Sequence, residues 1–393
     1  MSKSTPTRKI DFFYFDAGGG HRSAANALRE VIERERRPWE IRLVNLQEML
    51  EPLDLFRKIT GLRLEDVYNL MLKKGWTLGS PQLTRGMHFL IRLYHRQQVR
   101  MIEEHWRRAR PDLVVSLIPN FNRAIFDSLR NVSPETPMVT VLTDLADFTP
   151  HFWLEQQDQY VVCGTAKAVE QARSMGIRRE KIFRTSGMIL HPRFYEPSTA
   201  DRTAERRRLG LEPDLPTGLV LFGGQGSSAI SKIAKKLDSS GLAMQLILVC
   251  GRNEKLTARL RAMRWRIPVR IEGFTAEVPQ LMRLADFLIG KPGPGSISEA
   301  LAMKLPVIVV SNAWTLPQER YNPEWIRENG VGEVVRNFRH IDRVVRDFLL
   351  PAHFQRYQAN AARIENRAVF EIPEILAGIL RDAHHTPGTL DGG

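Results

Sequence analysis

Short apolar runs rich in β-branched residues recur along this chain in two sets, and each run is followed by a longer stretch with helical periodicity. The first set is KIDFFYF (9–15), EIRLVNL (40–46), DLVVSLI (112–118), PMVTVLT (137–143) and QYVVCG (159–164). The second is GLVLFGG (218–224), MQLILVC (244–250), PVRIEGF (268–274), DFLIG (286–290) and PVIVV (306–310). Runs without polar alternation fit strands covered on both faces, as in parallel sheets packed between helices. Strand–helix alternation carried through twice restricts the fold class to α/β, with two doubly wound, Rossmann-like domains. A length of 393 residues agrees, because it exceeds what one ordinary core holds.

The boundaries follow from composition. A first domain is expected over 8–198 and a second over 217–345, separated by a Pro- and Arg-rich linker at 199–216 that holds one short helix. Helices over 346–384 have no strand after them and are expected to pack back toward the first domain. One stretch, about 52–108, interrupts the alternation: apolar residues are interleaved there with Lys and Arg, and no strand is apparent. Such a basic amphipathic insertion either lies in a membrane interface or packs as helices on the first sheet. Trp76 and Leu78, set among basic residues and turn formers in KKGWTLGSPQLTRG (73–86), favour a lipid-facing loop.

Charge narrows the partners. Lys and Arg number 57 against 44 Asp and Glu, a formal net charge of +13 that favours an anionic partner. The basic residues are scattered (RERR, WRRARP, ERRRLG), not gathered with aromatics on one element, so nucleic acid is not the expected partner. An anionic membrane surface or a phosphorylated substrate remains. No stretch of eighteen apolar residues is present, so no transmembrane helix is expected. The N-terminal MSKSTPTRKI lacks an apolar core, so no secretory signal is expected either. Cys163 and Cys250 lie in strand-like runs and read as buried free thiols of a reducing compartment. No Cys/His group has zinc spacing, so no metal site is expected.

Three glycine-rich loops stand between a strand and a helix: GGGHRSAANAL (18–28), FGGQGSSAISKIAKKL (222–237) and GKPGPGSISEALAMKL (290–305). Main-chain N–H groups at such a junction face the positive end of a helix and favour phosphate. Neither of the first two matches the dinucleotide fingerprint or the Walker A pattern, which counts against a dehydrogenase or a P-loop ATPase. In the third, Ser296 is placed to cap a helix with Glu299 in its first turn. A carboxylate there suits the two hydroxyls of a ribose, although it could equally serve as a dipole partner worth ~0.3–1 kcal/mol.

These loops, with VLTDLADFTPHFW (141–153), HPRFY (191–195), CGRNEKL (250–256) and LPQERYN (316–322), resemble glycosyltransferase family 28 in the family's order. Within that family the chain resembles the monogalactosyldiacylglycerol synthases and processive diacylglycerol glucosyltransferases. The resemblance implies the glycosyltransferase B fold: two Rossmann-like domains facing a cleft, with acceptor bound by the first and a UDP-sugar by the second. It implies that Gly224, Gln225, Gly226 and Ser227 border the phosphates, that Arg252 and Asn253 sit beside the nucleotide, and that Phe274 flanks the uracil. Gly295 and Ser296 would offer N–H groups to the pyrophosphate, Glu299 would hold the ribose, and Gln318 and Glu319 would meet the sugar hydroxyls. Gly18, Gly19, Gly20 and Trp76 would lie on the acceptor side.

The implied activity is inverting transfer of a hexose from a UDP-sugar to a diacylglycerol-type lipid, with no metal or cofactor. The enzyme would be cytoplasmic and peripheral on the inner face of the membrane. His21 is expected to act as general base or to position the diphosphate, since imidazole titrates near working pH without tuning. Asp144, Asp147 and His151 are the expected assistants. A UDP-sugar 2-epimerase, a non-lipid UDP-glycosyltransferase, a catalytically inert sensor and a basic nucleic-acid-binding protein are the alternatives.

Overall fold

A computed structural model describes residues 7–16, 19–51, 91–148, 151–313 and 315–385. Gly18, Trp76 and the rest of 52–90 lie outside the described residues. The described residues form two compact units: the first holds the chain up to Pro192 and again from Arg367, and the second spans Arg193–Asn366.

The first unit contains β1 (Arg8–Tyr14), β2 (Trp39–Asn45), β3 (Leu113–Ser116), β4 (Met138–Val141), β5 (Tyr160–Cys163) and β6 (Ile182–Arg184). Its helices are α1 (Gly20–Arg34), α2 (Leu46–Leu50), α3 (His95–Ala109), α4 (Asn122–Val132) and α5 (Ala166–Ser174). The six strands run parallel in the order β2-β1-β3-β4-β5-β6. Strand order therefore reverses between β1 and β3, and such a reversal opens a crevice beyond the carboxyl ends of the two strands. Ile10, Phe12 and Phe13 of β1 are fully buried. Helix α1 covers them with one face, Ala24, Ala25, Leu28, Val31 and Ile32. Helix α3 buries Val99, Ile102 and Trp106, and the Trp106 indole donates to Ser128 Oγ at 2.9 Å. The C-terminal part of the basic amphipathic stretch is thus a helix packed into the core.

The second unit contains β7 (Thr217–Leu221), β8 (Gln245–Val249), β9 (Val269–Glu272), β10 (Phe287–Gly290), β11 (Val307–Val310) and β12 (Gly332–Val335). These too are parallel, in the order β12-β11-β10-β7-β8-β9, with the reversal between β7 and β10. Eight helices accompany them among the described residues: α6 (Arg202–Arg208), α7 (Ala229–Asp238), α8 (Glu254–Arg261), α9 (Val278–Leu284), α10 (Pro294–Ala302), α11 (Asn322–Asn329), α12 (Ile341–Phe348) and α13 (Pro351–Arg363).

Each of the ten apolar runs overlaps a strand; β6 and β12, two edge strands, carry no such run. The 199–216 segment is built into the second unit. Arg206 of α6 is buried there, donating to the Leu284 carbonyl at 2.7 Å and to Asp286 Oδ2 at 2.8 Å. Helices α12 and α13 stay with the second unit, where Phe348 stacks on Tyr357 at 4.9 Å. Only the last helix, α14 (Ala368–His385), belongs to the first unit. Both cysteines are buried free thiols.

Candidate active site

In the first unit the crevice between β1 and β3 is bordered by the glycine loop. Gly19 caps α1 in a left-handed conformation (φ +79°) that favours glycine, Gly20 starts the helix, and His21 lies in its first turn. His21 Nδ1 is 3.1 Å from Thr143 Oγ1, just past β4. The imidazole also hydrogen-bonds the main-chain carbonyl of Leu117, just past β3. Trp153 lies 5.9 Å from the ring and Phe15 meets it edge-on at 6.5 Å. The side chain keeps a partly open surface, yet burial pushes the imidazole down to about 4 and outweighs the Leu117 bond that acts the other way. The expectation of a histidine that titrates near working pH is corrected here: at neutral pH His21 is an uncharged ring and a weaker base than a free imidazole.

The three expected assistants divide. Asp144 is buried and accepts from the Trp153 indole at 2.9 Å, which fixes the ring that faces His21. Asp147 accepts from the main-chain N–H groups of Trp153 at 2.7 Å and His151 at 3.1 Å, while Gln171 holds its own N–H and C=O at 2.9 and 2.8 Å. Burial raises its carboxyl and the main-chain bonds oppose the rise. Both oxygens are committed to shaping the loop. His151 is exposed with φ +68°, and among the described residues no hydrogen bond or ring contact joins it or Asp147 to His21. Asn122, which the sequence did not single out, is fully buried and donates to the carbonyls of Ile118 and Trp153, both at 3.1 Å. It ties the β3 loop to the Trp153 loop.

In the second unit the loop after β7 lies on the loop after β8. Gly226 has φ +67°, and a Cβ there would fall 2.0 Å from the Cys250 carbonyl oxygen, so nothing but glycine fits. Arg252 N donates to the Gly224 carbonyl at 2.9 Å. Gly224 and Gln225 are exposed, and Ser227 Oγ accepts from Ala229 N at 3.2 Å where α7 begins. Asn253 is engaged in capping α8, its Oδ1 accepting from Leu256 N at 3.0 Å. The Arg252 guanidinium sits 4.4 Å over the ring of Phe274, which is 62% exposed. That pair leaves an aromatic face open to a flat ligand.

Helix α10 begins differently from expectation. Gly293 is its N-cap and Pro294 its first residue; Ser296 does not cap but donates its hydroxyl to the Gly293 carbonyl at 3.2 Å. Because Pro294 has no N–H, Gly295 and Ser296 present the first free main-chain donors of the helix. Glu299 consequently lies in the second turn, where burial raises its carboxyl to about 7. Among the described residues that carboxyl has no hydrogen-bond or ion-pair partner. Gln318 and Glu319 share the 3-10 turn Pro317–Glu319; Gln318 is half-buried and Glu319 is buried. Glu319 Oε1 receives Lys291 Nζ at 2.7 Å. Lys291 was not foreseen. It stands at the carboxyl end of β10, beside the strand reversal, and only the strand order distinguishes it from any lysine in a turn.

Among the described residues no group of three or more His, Cys, Asp or Glu is placed to hold a metal ion, and no helix is long and apolar enough to cross a membrane.

The comparisons with known proteins fall on both units. The monogalactosyldiacylglycerol (MGDG) synthase model matches residues 21–188, and the glycosyltransferase family 28 C-terminal domain model matches residues 218–370. Monogalactosyldiacylglycerol synthase 1 of Arabidopsis thaliana is 27% identical over 399 residues, covering 97% of this chain and 72% of the relative. The Spinacia oleracea synthase is 26% identical over 393 residues, covering 95% and 73%. Among solved structures, the S. aureus MnaA–UDP co-structure superposes with a TM-score of 0.62 at 15% identity, covering 98% of this chain and all of that one. Acinetobacter baumannii MurG gives 0.61 at 12% identity, covering 94% and 99%. The calicheamicin glycosyltransferase CalG4 gives 0.62 at 16% identity, covering 98% and 100%. At those identities the structures speak for the fold, and the glycosyltransferase B fold is the one they share with two six-stranded parallel sheets. With its first unit matched by the synthase model and its second by the family 28 C-terminal domain model, the chain is similar over nearly its whole length to the monogalactosyldiacylglycerol synthases of glycosyltransferase family 28.

Proposed function

We propose that the protein transfers a hexose, galactose before glucose, from a UDP-sugar to a diacylglycerol-type lipid at an anionic membrane surface, by a single inverting displacement without a metal. One observation carries the reading: the synthase match begins at the candidate base, His21, and the family 28 match spans the anion-facing loops of the second unit. The named relatives are monogalactosyldiacylglycerol synthases over nearly the whole chain.

In this reading the acceptor hydroxyl gives its proton to His21 as its oxygen attacks the anomeric carbon. The bond from that carbon to the diphosphate breaks, and UDP leaves with the electron pair. Asp144 acts through Trp153, and Thr143 and Leu117 hold the imidazole. Asp147 and His151 shape the loop. Oriented N–H groups of Gly295 and Ser296, with the 224–227 turn, meet the charge that grows on the diphosphate. Phe274 and Arg252 offer a stacking face to uracil, Glu299 accepts from the ribose hydroxyls, and Gln318 faces the sugar. The glycine loop at 18–20 and Trp76 belong to the acceptor side. The net charge of +13 supports peripheral binding to an anionic leaflet, on the cytoplasmic side.

The deciding experiment supplies labelled UDP-galactose, UDP-glucose or UDP-N-acetylglucosamine with diacylglycerol in anionic vesicles, with and without EDTA. Label should enter the organic phase from a UDP-hexose, in the β-configuration, undiminished by the chelator. Conversion of a UDP-sugar without any acceptor, or no organic-phase label from any donor, overturns the proposal.

A further inference from the structure

Resting on the donor-site reading above, we propose that Lys291 is the side-chain cation that binds the donor diphosphate, and that Glu319 is the positioning residue that aims it. Lys291 follows β10, one of the two strands between which strand order reverses, so it stands where an open parallel sheet leaves room for a ligand. Its stem runs past the glycines of two loops. A Cβ on Gly223 would lie 3.8 Å from Lys291 Cε, and one on Gly293 would lie 3.2 Å from it. A Cβ on Gly293 would crowd that path, whereas one on Gly223 would only touch it. The same Cβ on Gly293 would be 3.4 Å from Ser296 Oγ and 3.6 Å from Glu319 Oε1. The ammonium group, the first free N–H groups of α10 and the 222–228 turn therefore crowd into one small region of the second unit.

The anchor is built in. Glu319 is 6% exposed, and a buried carboxylate needs a charged or hydrogen-bonded partner, which Lys291 supplies at 2.7 Å. Asn322, fully buried, donates to the Pro292 carbonyl at 2.7 Å and fixes the loop between lysine and helix. Lysine, in contrast, is 38% exposed, so a ligand reaches it. An ammonium group has three donors, and its exposed face is the one offered to phosphate. The charge on departing UDP is thereby met by a side chain as well as by main-chain dipoles. Glu319, expected from the resemblance to meet the sugar hydroxyls, is assigned instead to the lysine.

The test compares UDP and uridine binding by titration calorimetry or ligand-observed NMR in the full chain. Lys291→Met should weaken UDP about ten- to a hundredfold while leaving uridine unchanged, since uridine lacks the diphosphate. Lys291→Arg should restore most of the UDP affinity. The double variant Lys291→Met/Glu319→Gln removes the uncompensated carboxylate, so it keeps the unit folded if the single variant does not, and it should show the same selective loss. Glu319→Gln alone should lower UDP affinity and leave uridine binding untouched. Equal losses of UDP and uridine in the double variant, or UDP affinity unchanged in Lys291→Met, overturn the inference and leave the donor-site reading standing. Failure of the wild-type chain to bind either compound overturns that reading, and the inference with it.

Discussion

His21 and Glu299 are both shifted by the same cause, loss of water, and in opposite directions on the pH scale: the imidazole down to about 4, the carboxyl up to about 7. Of the two, only the histidine is a proton acceptor in its neutral form; a neutral carboxyl group already carries its proton. Neutral His21 is the competent form, and it prevails above its folded pKa. The acid limb of kcat at saturating UDP-sugar, where the donor-binding carboxyl of Glu299 no longer weighs, should therefore have its midpoint near 4; pH-dependent turnover across a range of lipid concentrations checks it. A midpoint near the ordinary histidine value of about 6.5 would show that the ring is not held as described. His21→Ala should cost ~10²–10⁴ in kcat, the usual worth of a positioned base. The position of this histidine was legible, because a glycine run between an apolar strand and a helix marks the junction. Its pKa was not: Leu117, Thr143 and Trp153 come from three other parts of the chain. Ser296 shows the same limit, since Gly293 and Pro294 make an equally good helix start a few residues earlier.

At the level of elements, what was legible depended on burial. Interior strands read clearly because both faces are covered. Two edge strands did not, since β6 (IFR) and β12 (GEVV) are short and partly exposed. The arginines of ERRRLG look alike as letters, yet Arg206 is buried against Leu284 and Asp286 while its neighbours face solvent. Close loop packing is similarly hidden in a glycine count, and it can be tested within one loop. Gly226→Ala combines a left-handed residue with a Cβ 2.0 Å from a carbonyl oxygen, whereas a Cβ at Gly224 meets nothing within 4 Å. Left-handed strain alone costs ~1–3 kcal/mol, and the clash adds to it. Gly226→Ala should lower the thermal midpoint of the second unit by roughly 4 °C or more, and Gly224→Ala should leave it near wild type. Equal midpoints in differential scanning calorimetry would contradict the contact between the β7 and β8 loops.

Across the whole molecule, the chain leaves the first unit after Pro192, builds the second, and returns at Arg367. Its last helix completes the first unit. Val369, Ile372, Leu376 and Ile379 of α14 are buried, the Ser186 N–H donates to the Glu371 carboxylate at 2.7 Å, and Arg37 pairs with Glu374. Four buried aliphatic side chains at ~1.5–3 kcal/mol each are comparable to the ~5–15 kcal/mol that holds an entire domain. During synthesis the first unit therefore lacks part of its core until α14 is available, whereas every strand of the second lies within its own span. Truncation after Asn366 should abolish the first unit's cooperative transition and leave the second's in place. Calorimetry shows the number of transitions, and limited proteolysis shows which half is cut. Survival of both transitions within a few degrees of wild type would mean that α14 is an accessory of the first unit rather than part of its core.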